Sequence, residues 1–566
     1  MTKEETKNCQ NCKKDFVIEQ EDFNFYERIK VPPPTFCPEC RLIRRMAFRN
    51  ERRLFRRKDA NTNQEIFSAF SLDANVLTYE NNFWFGDKWD PMIYGRDYDF
   101  SKLFFEQFYS VLSETPLPAR TVLNLVNSDF CNEASEIKNG YLCFDADYIE
   151  DSAYLVKGLR LKETFDSYEV SDSELCYENV MVHKSYKTFF SFDCESCVDV
   201  WFSKGLRGCN DCFGCVNLVN KSYHFFNEPY TKENYEKKLK ELHLDSFKTI
   251  SEIREKILNF WLKFPNKYYH GLRAVDSTGE QIYDVRNVKQ SFSVREGEHL
   301  KYCQLITLKT NNSYDCLMCF FGADNLYETV TCGLGAYNSR FCYACWEESM
   351  NLDYCIYCVG SKNCFGCVGL RKKEYCVFNK QYTKEEYEVL VPKIIKHMND
   401  MPYIDKCGII YKYGEFFPYF VSPYSYNESL AQDFFPLDSE KAEKSGFIWR
   451  EPNLREYETT LDSKNLPDNI EEVDEKILEE VIKCEKCNRA YRIIPKELQF
   501  CKRIGLPLPR FCSNCRFIER FKFINPPKFW HRHCMKEGCQ NEFETSYAPE
   551  RPEIIYCEKC YQQEVY

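Results

Sequence analysis

Two Cys-x-x-Cys pairs open the chain, at Cys9 and Cys12 and at Cys37 and Cys40, and the grouping returns near the end at Cys484, Cys487, Cys512 and Cys515. In both copies 24 residues separate the pairs, and the second pair lies in closely matching surroundings, VPPPTFCPECR and LPLPRFCSNCR. Two thiolates three residues apart in a tight turn address one ion, and a second pair completes a tetrahedron of sulfurs. The spacing predicts structural zinc, whose binding energy folds small modules that bury little core. Four sulfurs leave no position open for water, so catalysis at these ions is not expected.

The duplication runs further. Cys534, which with Cys539, Cys557 and Cys560 makes a third four-cysteine set, lies 19 positions after Cys515, and 19 positions after Cys40 stands Asp59. Aligning Phe70 with Tyr547 and Tyr79 with Tyr556, at the cost of a two-residue gap, sets Glu80 and Phe83 opposite Cys557 and Cys560. The N-terminal copy therefore reads as having kept its second module and lost that module's metal. Three zinc ions are expected, one at the N-terminal end and two at the C-terminal end.

The chain has 33 cysteines in 566 residues, many more than those sets use. A secreted disulfide scaffold is usually short, and the opening MTKEETKNCQNCKKDF has no apolar run. The expected compartment is a reducing cytoplasm. No stretch approaches the roughly 18 apolar residues that span a bilayer, so no membrane partner is expected.

Net charge is −11, but its distribution is uneven: nine basic residues face one acid between Arg41 and Lys58, and eight face one between Lys502 and Arg532. The ends are basic and the middle is acidic. A helix opening at the second Cys-x-x-Cys would carry Arg41, Arg44, Arg45, Arg49, Arg52, Arg53, Arg56, Arg57 and Lys58, and suggests a treble clef more than a plain ribbon. Arginine forks suit phosphate oxygens and give affinity without sequence choice. In the C-terminal copy the helix ends before Pro526, and Arg516, Arg520, Lys522, Trp530 and Arg532 are the candidates for backbone contact and base stacking, beside His531 and His533. Two other readings stay open: an acidic partner protein, or packing of these cations on the chain's own acidic middle. Cys501, without a partner pair, reads as structural.

Inside the chain, CFGCVNLVNKSYHFFNEPYTKENYE from Cys212 returns as CFGCVGLRKKEYCVFNKQYTKEEYE from Cys364, at an offset of 152. Each copy ends on Thr followed by Lys-Glu, a helix start. The preceding segments lack a helical period; aromatic-cysteine steps at Cys303, Cys316, Cys342, Cys355, Cys364 and Cys376 lie mostly nine to thirteen residues apart. A repeat of roughly 22 to 25 residues per turn would make a β-solenoid. The interior cysteines read as stacked core thiols, with further zinc or an iron–sulfur site on Cys209, Cys212 and Cys215 as alternatives. Asp87, Asp90, Asp97 and Asp99 lie in an aromatic segment and read as turn caps, with Mg²⁺ binding beside Arg96 as the rival.

The fold class is thus multidomain and mainly β: two β-solenoid segments with helical inserts, flanked by treble-clef or zinc-ribbon modules. The expected segments are 1–82 (zinc module with basic helix), 83–121 (linker and helix), 122–230 (first solenoid), 231–271 (helical insert), 272–382 (second solenoid), 383–480 (helix and linker) and 481–566 (double zinc module). The run CPECRLIRRMAFRNERRLFRRK, followed by WFGDKWDPMIYGRDYDFSKLFFEQF, resembles a family of uncharacterised cysteine-rich zinc-ribbon proteins of bacteria with reduced genomes. The resemblance covers the first 110 residues well and the CFGC repeats loosely; members look to carry cysteine where this chain has Asp59. It implies zinc and architecture and carries no activity. The functional expectation is a non-catalytic zinc protein binding RNA or DNA through its ends, with a protein-assembly scaffold as first alternative and a Mg-dependent nuclease or nucleotide-modifying enzyme as second.

Overall fold

The computed structural model describes residues 4–306, 309–318, 327–333, 335–451 and 457–565. The chain forms two units, each drawn from distant stretches of sequence. Met1–Arg120, Tyr269–Glu451 and Pro526–Lys528 make one; Thr121–Tyr268, Pro452–Asn525 and Phe529–Tyr566 make the other. The N-terminal module is therefore assembled with the second solenoid, and the C-terminal modules with the first.

Each solenoid is a stack of short parallel strands. In the first, Tyr141 is level with Ala153, Val198 with Asn210 and Asn210 with Ser222, so one turn takes twelve residues. In the second the step is twelve or thirteen, as between Gly279 and Ser291 or Gly297 and Thr310. The expected repeat of 22 to 25 residues is corrected: it spans two turns. Left-handed backbone recurs at every third residue, from Glu133, Glu136 and Asn139 through Asp199 and Phe202. Each such residue turns a corner, and four three-residue sides close a turn. A left-handed conformation costs a non-glycine residue roughly 1–2 kcal/mol. Its hydrogen bonds to the turns above and below offset that cost.

The residue after each corner points inward. This gives four columns of inward apolar side chains, among them Cys143, Ala146, Ile149, Leu155, Val182, Cys194, Cys197 and Val200. Inward hydroxyls tie turn to turn: Ser152 Oγ accepts from Thr164 N at 3.0 Å, Ser191 Oγ from Ser203 N at 3.2 Å, and Ser203 Oγ from Cys215 N at 3.0 Å. Cysteine fills the same positions as a small, weak donor. Cys194 Sγ lies 3.5 Å from Phe192 O and 3.7 Å from Ser203 O, and Cys355 Sγ 3.4 Å from Asp353 O and 3.6 Å from Cys364 O. Burial pushes the Cys143, Cys194 and Cys303 thiols well up and Cys176 up to about 12, so they stay neutral.

The duplicated CFGC block is a solenoid terminator. Asn227 bonds Val216 N at 2.8 Å and O at 3.0 Å; 152 residues on, Asn379 bonds Val368 N at 2.8 Å and O at 2.7 Å. Strands Ser222–Phe225 and Glu228–Pro229, and likewise Glu374–Val377 and Lys380–Gln381, then fold back antiparallel. This reversal ends the stack at an otherwise open edge. Thr231 and Thr383 cap the helices that follow, Lys232–Lys240 and Lys384–Asp400.

Candidate metal centres and the arginine clamp

The first set begins in a tight hairpin between strands Glu5–Asn8 and Asp15–Ile18. Cys9 N donates to Lys14 O at 2.9 Å and Lys13 N to Cys9 O at 3.0 Å, with Lys13 left-handed at φ 60. The 484 set repeats this with Cys484 N to Arg489 O at 2.9 Å, Asn488 N to Cys484 O at 3.0 Å, and Asn488 at φ 61. The second pair of each set opens a helix: Cys37 caps Pro38–Met46 and Cys512 caps Ser513–Phe521. Helix N-termini favour thiolate charge. This is the treble-clef arrangement expected of a helix that opens at the second Cys-x-x-Cys.

A tetrahedron of Zn–S bonds of about 2.3 Å would put sulfurs about 3.8 Å apart. Cys12 and Cys37 are separated by 3.7 Å, Cys487 and Cys512 by 3.7 Å, and Cys539 and Cys557 by 3.9 Å. Within each set all four sulfurs lie within 4.8 Å of one another. Backbone donors are aimed at sulfur as a thiolate centre requires: Cys37 N to Cys9 Sγ at 3.2 Å, Cys512 N to Cys484 Sγ at 3.2 Å, and Cys557 N to Cys534 Sγ at 3.3 Å. The residues fit a tetrahedral ion in all three sets. Among the described residues no other group of His, Cys, Asp or Glu gathers three ligand atoms so closely. Cys209, Cys212 and Cys215 stand on successive sides of the coil and bond carbonyls, Arg207 O, Asn210 O and Phe213 O respectively. Cys319 and the Cys332 side chain lie outside the described residues.

The N-terminal second module keeps its fold without sulfur. Hairpin Phe55–Lys58 with Glu65–Ser68 matches Trp530–His533 with Glu542–Thr545. Where Cys557 N reaches Cys534 Sγ, Glu80 N reaches Asp59 Oδ1 at 3.1 Å, and Asp59 Oδ2 accepts from Thr62 N at 2.8 Å and Thr62 Oγ1 at 2.5 Å. The buried Asp59 carboxylate gathers by hydrogen bonds what the metal would gather by coordination. Asp59→Ala is expected to cost about 1–3 kcal/mol, the cost of orphaned buried donors, in urea unfolding, and the loss should be the same with and without a chelator.

The long basic helix is not formed. Pro38–Met46 is nine residues, as is Ser513–Phe521. The helix ends at its C-cap Ala47, Asn50 beyond it donates to Arg53 O at 2.8 Å and Ala69 O at 2.7 Å, and Arg56, Arg57 and Lys58 fall on a strand. Six candidate phosphate contacts are also corrected. Arg41, Arg44, Arg45, Arg49, Arg516 and Arg520 are each 5% exposed or less, with their charge turned inward. Arg41 Nε and Arg45 Nη1 both meet Asp315 Oδ1, at 3.0 and 2.9 Å. Arg44 grips both oxygens of Glu328 at 2.6 and 2.7 Å and reaches Glu415 at 3.2 Å, while Arg49 binds Glu51 at 2.8 Å. In the other unit Arg516 and Arg520 flank Asp166 at 3.2 and 3.1 Å. Burial pushes the Asp166 carboxyl up to about 6 while the two guanidiniums pull against it.

The two clamps are copies. Arg41 and Arg45 align with Arg516 and Arg520, and Asp315 and Asp166 each occupy a left-handed corner of their solenoid. Arg41 stacks on Tyr302 and Arg516 on Tyr154, the corner one turn earlier, at 5.1 and 4.6 Å. The remaining candidates are more accessible. Arg52 and Arg53 pair with Asp433, Arg57 bonds the Ser71 and Ala74 carbonyls, and Arg532 meets Ala548 O. Trp530 is half-buried, His531 and His533 pair with Glu542, and Arg56, Lys58 and Lys522 are exposed. Cys501 is buried, as expected of a structural thiol.

Asp90 and Asp99 cap turns at Met92 N and Ser101 N, both within 3.0 Å, and Asp97 binds Lys380 at 2.6 Å and Tyr382 at 3.0 Å. Sequence reasoning missed Asp315, Glu328 and Asp166, the acids that receive the arginines. Their signal is the corner column, Tyr302, Asp315, Glu328, Phe341 and Tyr354, repeated as Tyr154, Asp166, Glu178, Phe190 and Phe202. It is legible only once the turn length is known.

Fold and sites together define a β-solenoid protein of twelve- and thirteen-residue turns with four-cysteine modules at both ends. No protein-family model matches the chain, and no curated protein matches it. No helix among the described residues is long and apolar enough to cross a membrane.

Proposed function

We propose that this chain is a non-catalytic, zinc-braced scaffold for protein assembly, in which each terminal module clamps a solenoid and leaves its outer faces to partners. The observation that carries this reading is the duplicated arginine clamp. The cations that most resembled a phosphate-binding helix are consumed internally, twice, in the same geometry. Thiolate sets with tetrahedral sulfur spacing favour zinc over harder ions. Exposed Tyr148, Tyr186 and Val198 along the first solenoid supply the kind of apolar surface that partner proteins bury.

Native mass spectrometry with metal analysis tests the zinc count: three zinc ions per chain are expected, and iron or a fourth ion would refute it. For the scaffold, proteins recovered with the chain from nuclease-treated lysate should persist, and should be lost from a Tyr148→Ala, Tyr186→Ala variant. RNA or DNA binding is the second reading, now confined to the exposed Arg56, Lys58 and Lys522. In a filter-binding salt titration a backbone binder would weaken steeply as salt rises. Strong low-salt binding abolished by neutralising those three residues would replace the scaffold reading.

A further inference from the structure

In the first unit a cleft of about 310 Å³ lies where helix Gln20–Arg28 crosses the early turns of the second solenoid. Asn24 and Arg28 line it from the helix, and Asn287, Lys289, His299 and Asn312 from the coil. Its polar groups are lopsided. Among the described residues Arg28 and Lys289 carry no ion pair; the Arg28 guanidinium lies over the Phe25 ring at 5.5 Å. Gln20 donates to Asn24 Oδ1 at 2.9 Å, which leaves the Asn24 amide hydrogens to the cleft. Asn287 Nδ2 donates to His299 Nδ1 at 2.7 Å and so leaves the proton on Nε2. The third cation, Lys301, is neutralised from behind by Glu19 and Asp22 at 2.6 and 2.7 Å. Glu21 is the single acid lining the space.

An excess of donors over acids, two cations without ion pairs and enough volume for a small molecule describe an anion site. The Phe25 and Tyr314 rings, stacked at 3.9 Å, give it an aromatic wall. We propose that this cleft binds a small phosphorylated ligand, whose phosphate engages Arg28 and Lys289 while the amides and His299 Nε2 read its remaining oxygens.

The test is calorimetric titration of the full, metal-loaded chain with AMP and with pyrophosphate. Saturable one-site binding by at least one probe is expected. Arg28→Ala and Lys289→Ala should each weaken it by about tenfold or more, the loss of one charge-assisted bond, and Glu21→Gln should tighten it. Arg28 is exposed and Lys289 half-exposed, so both variants should keep the parent melting profile, checked alongside. No saturable binding by either probe, or undiminished affinity in both folded variants, overturns the assignment.

Discussion

Treating the intact chain with a strong zinc chelator is expected to open Arg44 and Arg45 to trypsin, which leaves them uncut in the metal-loaded protein. Both side chains are 0% exposed. They sit on a nine-residue helix whose first turn supplies half of a four-cysteine set. An isolated helix of that length is marginal in water. Structural zinc contributes an apparent 10–16 kcal/mol or so per site, as much as the whole stability of a typical domain, about 5–15 kcal/mol. Removal of the ion should therefore melt the helix and withdraw the arginines from Asp315 and Glu328, leaving two buried carboxylates unmatched. The consequence reaches beyond the module: the second solenoid should also lose stability, seen as loosened amide-exchange protection around Asp315. Re-addition of zinc should restore both signals. If Arg44 and Arg45 stay protected from trypsin after verified metal loss, the coupling of metal to clamp is wrong.

Much of this architecture can be read from residues, because local chemistry dictates it. Cys-x-x-Cys spacing requires a tight turn and a shared ion whatever the rest of the chain does. Thr231 and Thr383 announce helices through capping, and the 152-residue repeat marks two equivalent solenoid ends, each closed by an asparagine. The turn length hid for a physical reason. Four interior columns run through each turn, and cysteine suits any of them, so Cys194, Cys197, Cys209, Cys212 and Cys215 are three or twelve residues apart without marking one column. The fate of the arginines hid for a different reason. Asp315 is 274 residues from Arg41, and a basic run in sequence does not reveal which distant acids will meet it. Charge asymmetry between the ends and the middle was a sign of internal matching as much as of an external polyanion.

Asp315→Ala is the second large effect, expected to lower stability by about 3–5 kcal/mol in urea unfolding, because it strands two guanidiniums in the core. Arg41 would keep its bond to Phe36 O at 2.7 Å and Arg45 its bond to Tyr302 O at 3.3 Å, neither of which neutralises charge. Asp166→Ala should cost a similar amount in the other unit, where Arg516 retains Glu497 at 2.6 Å and Arg520 loses the carboxylate that it meets at 3.1 Å. Desolvation makes such clusters costly to assemble, so stability alone does not explain them. The geometry suits specificity: each terminal module docks where the corner column offers an aspartate. The next corner shows the choice. In the first unit Glu328 is met by Arg44; at the equivalent position of the second module stands Glu519, and Glu178 is met instead by Arg254, 2.7 Å away, from helix Phe247–Trp261. A module with Glu519 placed over Glu328 would face a like charge, and one with Arg44 over Glu178 would compete with Arg254. A Glu519→Arg variant should thus dock no better than the parent, whereas Arg44→Glu should fail outright, with unfolding at lower urea than Arg44→Met. Equal stability of Arg44→Glu and Arg44→Met would show that charge at this corner does not discriminate between the modules.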